Sequence, residues 1–169
     1  RALFLAAPPL FPAAVESALK VQELSGGRIV CQAETPLGLR HGPMAVIGDS
    51  SWVILFFSGD GYRRAYELDI LAALRAKRLG ARRILIGERA ALNAAGVGEG
   101  ELALPLDPDG ALAGVPDHRR VPVAVIAGQL IGLFAALTLG LTPDDPGGGV
   151  IHRVVQGVRI HPLEGGGGR

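Results

Sequence analysis

Residues 51–88, SWVILFFSGDGYRRAYELDILAALRAKRLGARRILIGE, decide the fold. The opening SWVILFFS, 51–58, is almost continuously apolar, the pattern of a parallel strand buried on both faces. GYRRAYELDILAALRAKRLG follows as an amphipathic helix, with Ala65, Leu68, Leu71, Ala72 and Leu79 near one side and Arg and Glu on the other. ARRILIGE then reads as the next strand. Two apolar strands separated by a helix make a βαβ unit, because parallel strands need a crossover of this length.

The same alternation extends both ways. Upstream, ALFLAA (2–7) is a buried strand. FPAAVESALKVQELSGG (11–27) is a helix with Pro12 in its first turn and Gly26–Gly27 as its stop, and RIVCQAE (28–34) is a second strand. A turn and short helix are expected around LRHGPMAVI. Downstream, ELALPLD (101–107) reads as a short edge strand. VPVAVIAGQLIGLFAALTLGL (121–141) carries no charge and is long enough to cross a bilayer, but is expected to be a helix buried between the layers of the domain. A closing segment, TPDDPGGGVIHRVVQGVRIHP, precedes the Gly-rich tail 164–169, so that residues 1–163 form one domain. In a parallel sheet covered on both faces, ligands bind beyond the carboxyl ends of the strands, which points to the loops after Ala7, Ala33 and Ser58.

The totals narrow the classes of function. With 17 basic and 16 acidic residues the net charge is +1, giving no electrostatic case for nucleic acid or an anionic membrane. A single cysteine, Cys31, excludes an internal disulfide and fits a cytoplasmic setting. Arg1 leads straight into the apolar run ALFLAA without a charged leader and cleavage site, so no signal peptide is expected, and the chain reads as if cut from something longer. GVGEG (96–100) lacks dinucleotide-motif spacing, His118, His152 and His161 show no metal-ligand spacing, and RAKRLGARR reads as a solvated helix end.

The chemistry concentrates in ESALKVQE, 16–23, and LRHGP, 39–43. Glu16, Lys20 and Glu23 fall within a band of roughly 60° on an otherwise apolar helix. Such a strip is costly if buried and cheap if it faces a cleft or water. On spacing alone, a solvated Glu–Lys pair is the simpler reading. His41 sits in a turn fixed by Gly42 and Pro43. A carboxylate and an imidazole brought together form an acid/base pair that works near neutral pH, the apparatus needed to open a sugar ring and carry a proton between C1 and C2.

Together ESALKVQE and LRHGP resemble the sugar isomerase (SIS) domains of phosphosugar isomerases, including the isomerase half of glucosamine-6-phosphate synthase. TPLGLRHGPMAVI, YELDILAALR, LGLTPDDP and HRVVQGVRIHP are similar to the tagatose-6-phosphate ketose/aldose isomerase and galactosamine-6-phosphate deaminase group. The resemblance covers most of residues 1–163. It implies a three-layer α/β/α, flavodoxin-like domain with a five-stranded parallel sheet, the C-terminal half of a two-SIS protein and a homodimer. It further implies that Glu23 is the base, that His41 is the ring-opening histidine and can reach a neighbouring subunit's site, and that Glu16 and Lys20 orient the base and bind sugar hydroxyls. Arg40, beside His41, and Ser58, in SGDG, are further expected substrate contacts. The synthase resemblance predicts a lysine where this chain has Gln156, which favours the isomerase/deaminase group. The prolines of AAPPLFP supply no N–H to a phosphate and Asp60 would repel one, so the phosphate grip is expected in a preceding SIS domain.

The expectation is therefore an aldose–ketose isomerase or deaminase of (amino)sugar 6-phosphates, needing no metal or nucleotide cofactor and partnered by its substrate, a preceding SIS domain and a second copy. A non-catalytic phosphosugar-binding module of a regulator is the alternative, and a structural half supporting a dimer a third.

Overall fold

The computed structural model describes residues 1–80 and 82–146, together with positions 149, 157, 159 and 161. The readings made on the closing segment beyond residue 146, on Gln156 and on the tail lie outside the described residues, apart from those isolated positions. The elements run β1 (Ala2–Ala6), α1 (Phe11–Leu24), β2 (Cys31–Glu34), α2 (Pro36–His41), a 3-10 turn (Pro43–Val46), β3 (Trp52–Phe56), α3 (Gly61–Ala76), β4 (Arg82–Gly87), α4 (Arg89–Ala95), β5 (Glu101–Pro105) and α5 (Asp117–Thr138).

The five strands are all parallel, in the order β2-β1-β3-β4-β5. β5 is an edge strand, as expected. This is the flavodoxin-like order, and it fixes the layers. Crossovers between parallel strands are right-handed. The chain moves one way from β1 to β2 and the opposite way through β3, β4 and β5. α1 therefore lies on one face of the sheet and α2, α3 and α4 on the other.

Strand residues feed the two cores alternately. Phe4, Ile54, Phe56, Ile84 and Ile86 meet Ala13, Ala14, Ala18 and Val21 of α1 and Ala124 and Ala127 of α5. Leu3, Leu5, Val53, Leu55 and Leu85 meet Leu39 of α2, Ile70, Leu71 and Leu74 of α3, and Leu92 of α4. The architecture is three-layer α/β/α.

Three elements differ from the reading of the sequence. α4 was not foreseen: RAALNAA is short and carries no N-capping side chain. α3 buries Glu67, Ile70, Leu71 and Leu74. Its inner face is thus rotated from the expected stripe, leaving Ala65 and Ala72 exposed and taking a glutamate inside. The apolar helix begins earlier, at Asp117, and is not buried all round. Its small residues Ala124, Ala127, Gly128, Gly132 and Ala136 are buried, while Ile126, Leu130, Phe134 and Leu137 are exposed. It remains, by length and composition, the one described helix apolar enough to cross a membrane.

Small residues let α5 lie close against α1. A Cβ on Gly128 would fall 1.9 Å from Ser17 Oγ, and one on Gly132 3.2 Å from the Lys20 carbonyl oxygen. The RAKRLGARR run is more than a solvated end. Arg75 and Arg83 clamp the Glu101 carboxylate at 2.5 and 2.8 Å, binding α3, β4 and β5 together. Burial pushes that carboxyl up, but Arg75, the Gly98 N–H and Arg83 outweigh it and hold it down at about 2.

Gly128→Ala should cost about 3 kcal/mol by forcing α1 and α5 apart, read as a shifted urea midpoint. Ala at the exposed neighbour Gln129 should change stability by less than about 0.5 kcal/mol.

Candidate functional site

α1 is entered through Leu10 with no capping side chain and is fixed by Pro12 in its first turn. Ala13, Ala14, Ser17, Ala18 and Val21 face inward, which leaves Glu16, Lys20 and Glu23 on the flank. Lys20 Nζ donates to Glu23 Oε2 at 2.8 Å and lies 3.8 Å from Glu16 Oε1. All three side chains are about one-third exposed, so the strip is neither sealed in the core nor freely solvated. The Glu23 hydrogen bond and then the two carboxylate charges raise the lysine above its usual range against the effect of burial, keeping the ammonium charged. Val15 and Leu19 lie exposed beside the strip.

His41 ends α2, whose start is capped by the Thr35 hydroxyl accepting from the Gly38 N–H at 3.0 Å. Arg40 and His41 are exposed. α2 packs with α3, across the sheet from α1. The structure gathers Glu16, Lys20 and Glu23, but it does not bring His41 or Arg40 to them within one chain.

The crevice predicted beyond the carboxyl ends of the strands is present, and it is a different place. A cavity of about 370 Å³ is lined by Pro9, Gly59, Asp60, Glu88, Asp117 and Arg120, among others. α1 runs back from this end toward the amino end of β2, where Gln22 Oε1 accepts the Cys31 N–H at 3.2 Å. Seven residues of helix, roughly 10 Å, separate Glu23 from Glu16. Glu23 therefore sits away from the loops named by the strand-end rule.

Ser58 is wholly buried. Its hydroxyl donates to Asp117 Oδ2, and its N–H donates to Glu67 Oε2 at 2.8 Å. A direct ligand contact would have to displace the first bond, so Ser58 reads as a tie within the loop. Asp60 caps α3, accepting the Arg63 N–H at 2.9 Å. Gly59 has a steric reason: a Cβ there would lie 2.3 Å from Arg120 Nη1. Burial pushes the Cys31 thiol up to about 11, which removes it as a nucleophile. Glu67, Asp117, Glu88 and Arg120 were missed by the sequence reading. A glutamate at the i, i+3, i+4, i+7 positions shared with Ile70, Leu71 and Leu74 was the available signal for Glu67.

No family model matches the chain. Curated relatives do. The chain is 43% identical over 166 residues to the AgaS protein of Streptomyces coelicolor, covering 96% of this chain and 41% of that protein. It is 37% identical over 171 residues to the D-galactosamine-6-phosphate deaminase AgaS of Escherichia coli, covering 97% and 41%. Among solved structures, the tagatose-6-phosphate ketose/aldose isomerase from Escherichia coli matches with a TM-score of 0.75 and 34% identity over 97% of this chain and 40% of that one. Its homologues are SIS-domain proteins of the AgaS and tagatose-6-phosphate isomerase kind. The chain thus spans about 40% of the length of these relatives, the extent of one SIS domain. The C-terminal domain of glucosamine-fructose-6-phosphate aminotransferase from Francisella tularensis shares the fold, with a TM-score of 0.64 at 24% identity.

Ser58→Ala should lower stability by about 1–3 kcal/mol, because the buried Asp117 carboxylate loses its O–H donor. Calorimetric unfolding checks this. Retained sugar-phosphate affinity in the same variant would show that the hydroxyl is not a ligand contact.

Proposed function

We propose that this chain is the catalytic SIS domain of a phosphosugar isomerase or deaminase that moves a proton between C1 and C2 of an (amino)sugar 6-phosphate. The observation that carries this reading is the Lys20–Glu23 contact at 2.8 Å on a helix flank about one-third exposed. A base that abstracts a proton from carbon must be reachable by substrate, and the partial exposure of Glu23 meets that requirement. Lys20 also offers N–H donors to the sugar oxygens as negative charge grows on them.

The chemistry follows from one carboxylate. With the ring opened, Glu23 takes the proton from C2 of the aldose and returns it to C1, and the enediol collapses to the ketose. If C2 carries an amine, the same transfer leaves a C2 imine. Water adds there and ammonia departs, giving the ketose phosphate. Glu16, 3.8 Å from the Lys20 ammonium, attracts it by charge alone.

His41 lies across the sheet from this base. In the proposed reading the histidine of one domain serves a site formed with another, and the phosphate is held by a preceding SIS domain. Two observations favour this. The relatives are more than twice as long as this chain, and the outward faces of α1 and α5 carry the exposed Val15, Leu19, Leu130 and Phe134, uncovered among the described residues. Cytoplasmic placement and self-association belong to the same proposal.

The test is proton NMR of galactosamine-6-phosphate and tagatose-6-phosphate in deuterated water with the full gene product. Exchange of the carbon-bound proton should fall by about 10²–10⁴-fold in Glu23→Gln. A mixture of Glu23→Gln and His41→Asn chains should recover part of the activity if sites are shared between copies. Ligand-induced shifts without exchange would favour the non-catalytic binding module.

A further inference from the structure

On the face of the sheet shared by α1 and α5, cover runs out before the strands do. Ile54, Ile84 and Leu102 are partners across β3, β4 and β5 and stand in one row on this face. Ile54 and Ile84 are buried in the core beneath the helices, whereas Leu102 is 57% exposed. One row nearer the amino ends, Trp52 is 46% exposed beside its partner Arg82. The helices explain the gap. Gly128 and Gly132 press α5 onto α1. At about 100° per residue, Leu130 and Phe134 then point away from α1, toward β4 and β5, and both are exposed. A cavity of about 310 Å³ is lined by Trp52, Arg82, Ile84 and Leu102, among others. Its charge is one-sided as well. Arg75 and Arg83 are spent on Glu101. Arg82, and Arg78 in the adjoining cavity of about 700 Å³, make no ion pair or side-chain hydrogen bond among the described residues, and Glu99 is the one other carboxylate lining that cavity.

We propose that the residues immediately preceding Arg1 in the full gene product form a helix that lies on this face, with its apolar side chains on Trp52, Ile84 and Leu102 and its carboxyl end at Arg78 and Arg82. The proposal rests on the domain that the proposed function places before this one, and on relatives more than twice as long as this chain. The sheet supplies the geometry. The Arg1 carbonyl accepts the Trp52 N–H at 3.0 Å, so polypeptide leading into β1 arrives at the rim of the cavity. Strands lie about 4.8 Å apart, which puts β4 and β5 roughly 10 and 14 Å from β1, within reach of four or five extended residues. α5 starts beside Ser58, past the carboxyl end of β3, and ends where the Leu139 carbonyl accepts from Arg28, just before β2. A helix that fills this face and then enters β1 runs the same way. It turns its last carbonyls, the negative end of its dipole, toward the amino ends of the strands, where Arg78 and Arg82 stand unpaired. A second copy fits the charge less well, because a two-fold contact through this face would set these arginines against their own images.

Hydrogen exchange of the purified full gene product, read by mass spectrometry over a dilution series, tests this. Amides of the residues just before Arg1 should be protected at every concentration. Leu102→Glu sets a charge under the helix and leaves the domain's own core alone. Those amides should then exchange about 10-fold faster or more, while residues 53–57 stay protected. Arg82→Glu turns the rim against the negative end of the helix and should speed them by about 2–5-fold at low salt. If Leu102→Glu does not fold, Trp52→Ser must still release the segment. Bare amides before Arg1 in the wild type, or protection indifferent to these substitutions, would overturn the proposal. So would protection of residues 101–105 that fades on dilution, the mark of a second copy on this face. Proton exchange from sugar phosphates is recorded alongside. Its absence with the helix in place removes the proposed function and leaves the docking, and its presence with the face bare does the reverse.

Discussion

The close approach of α1 to α5 is the constraint on which the rest of this domain depends. The two helices meet where Gly128 receives Ser17 and Gly132 receives the backbone at Lys20, and no side chain larger than hydrogen fits at Gly128. Ser17 turns its hydroxyl back on the Ala13 carbonyl at 2.6 Å, so it adds no unmet polar group to the contact. That contact sets the rotation of α1 about its axis. Because Ala13, Ala14, Ser17 and Ala18 must point inward, Glu16, Lys20 and Glu23 have only the flank to occupy. The position of the charged strip is a consequence of small residues elsewhere, not of any attraction exerted by the strip. The Lys20–Glu23 pair at one-third exposure is worth little to stability.

The polar cluster at the strand ends obeys a different logic. Loops after parallel strands leave N–H groups with no ladder partner, and in this domain carboxylates from two helices supply the acceptors. Ser58 and Gly59 are held by Glu67 and Asp117 from opposite layers, so the β3–α3 turn acts as the pin through the sheet. Arg64 and Arg120, which face the carboxylates of this cluster, also bind backbone carbonyls, which makes charge and chain path inseparable at this end.

Much of this was legible in the sequence, and the rest has identifiable reasons. The strands of 2–7, 51–58 and 81–88 were readable because parallel strands buried on both sides are rich in apolar residues. Pro12 and Gly26–Gly27 bracketed α1. Hydrophobicity misled where it was uniform. In α5 every face is apolar, so only side-chain volume distinguishes inside from outside, and that requires knowing what the helix lies against. In α3 the small residues Ala65 and Ala72 drew the stripe away from Ile70 and Leu74, and the one glutamate inside it looked like a surface residue. The grouping of Glu16, Lys20 and Glu23 followed from helical spacing. The separation of Glu23 from His41 could not, since it follows from strand order: β1 to β2 runs one way, β2 to β3 the other, and right-handed crossovers then place α1 and α2 on opposite faces.

α5 is a helix turned inside out. Ala124, Ala127, Gly128, Gly132 and Ala136 are sheltered, and Ile126, Leu130, Phe134 and Leu137 stand outside. Ordinary amphipathic helices encode orientation as a contrast of polarity, which survives many substitutions as long as greasy stays greasy. This one encodes orientation as a contrast of size. An exchange of Gly128 with Leu130 would leave composition and overall oiliness untouched and yet jam the seam against Ser17. The helix is therefore tolerant of chemistry and intolerant of bulk, and drift along it should be permissive on one side and nearly frozen on the other.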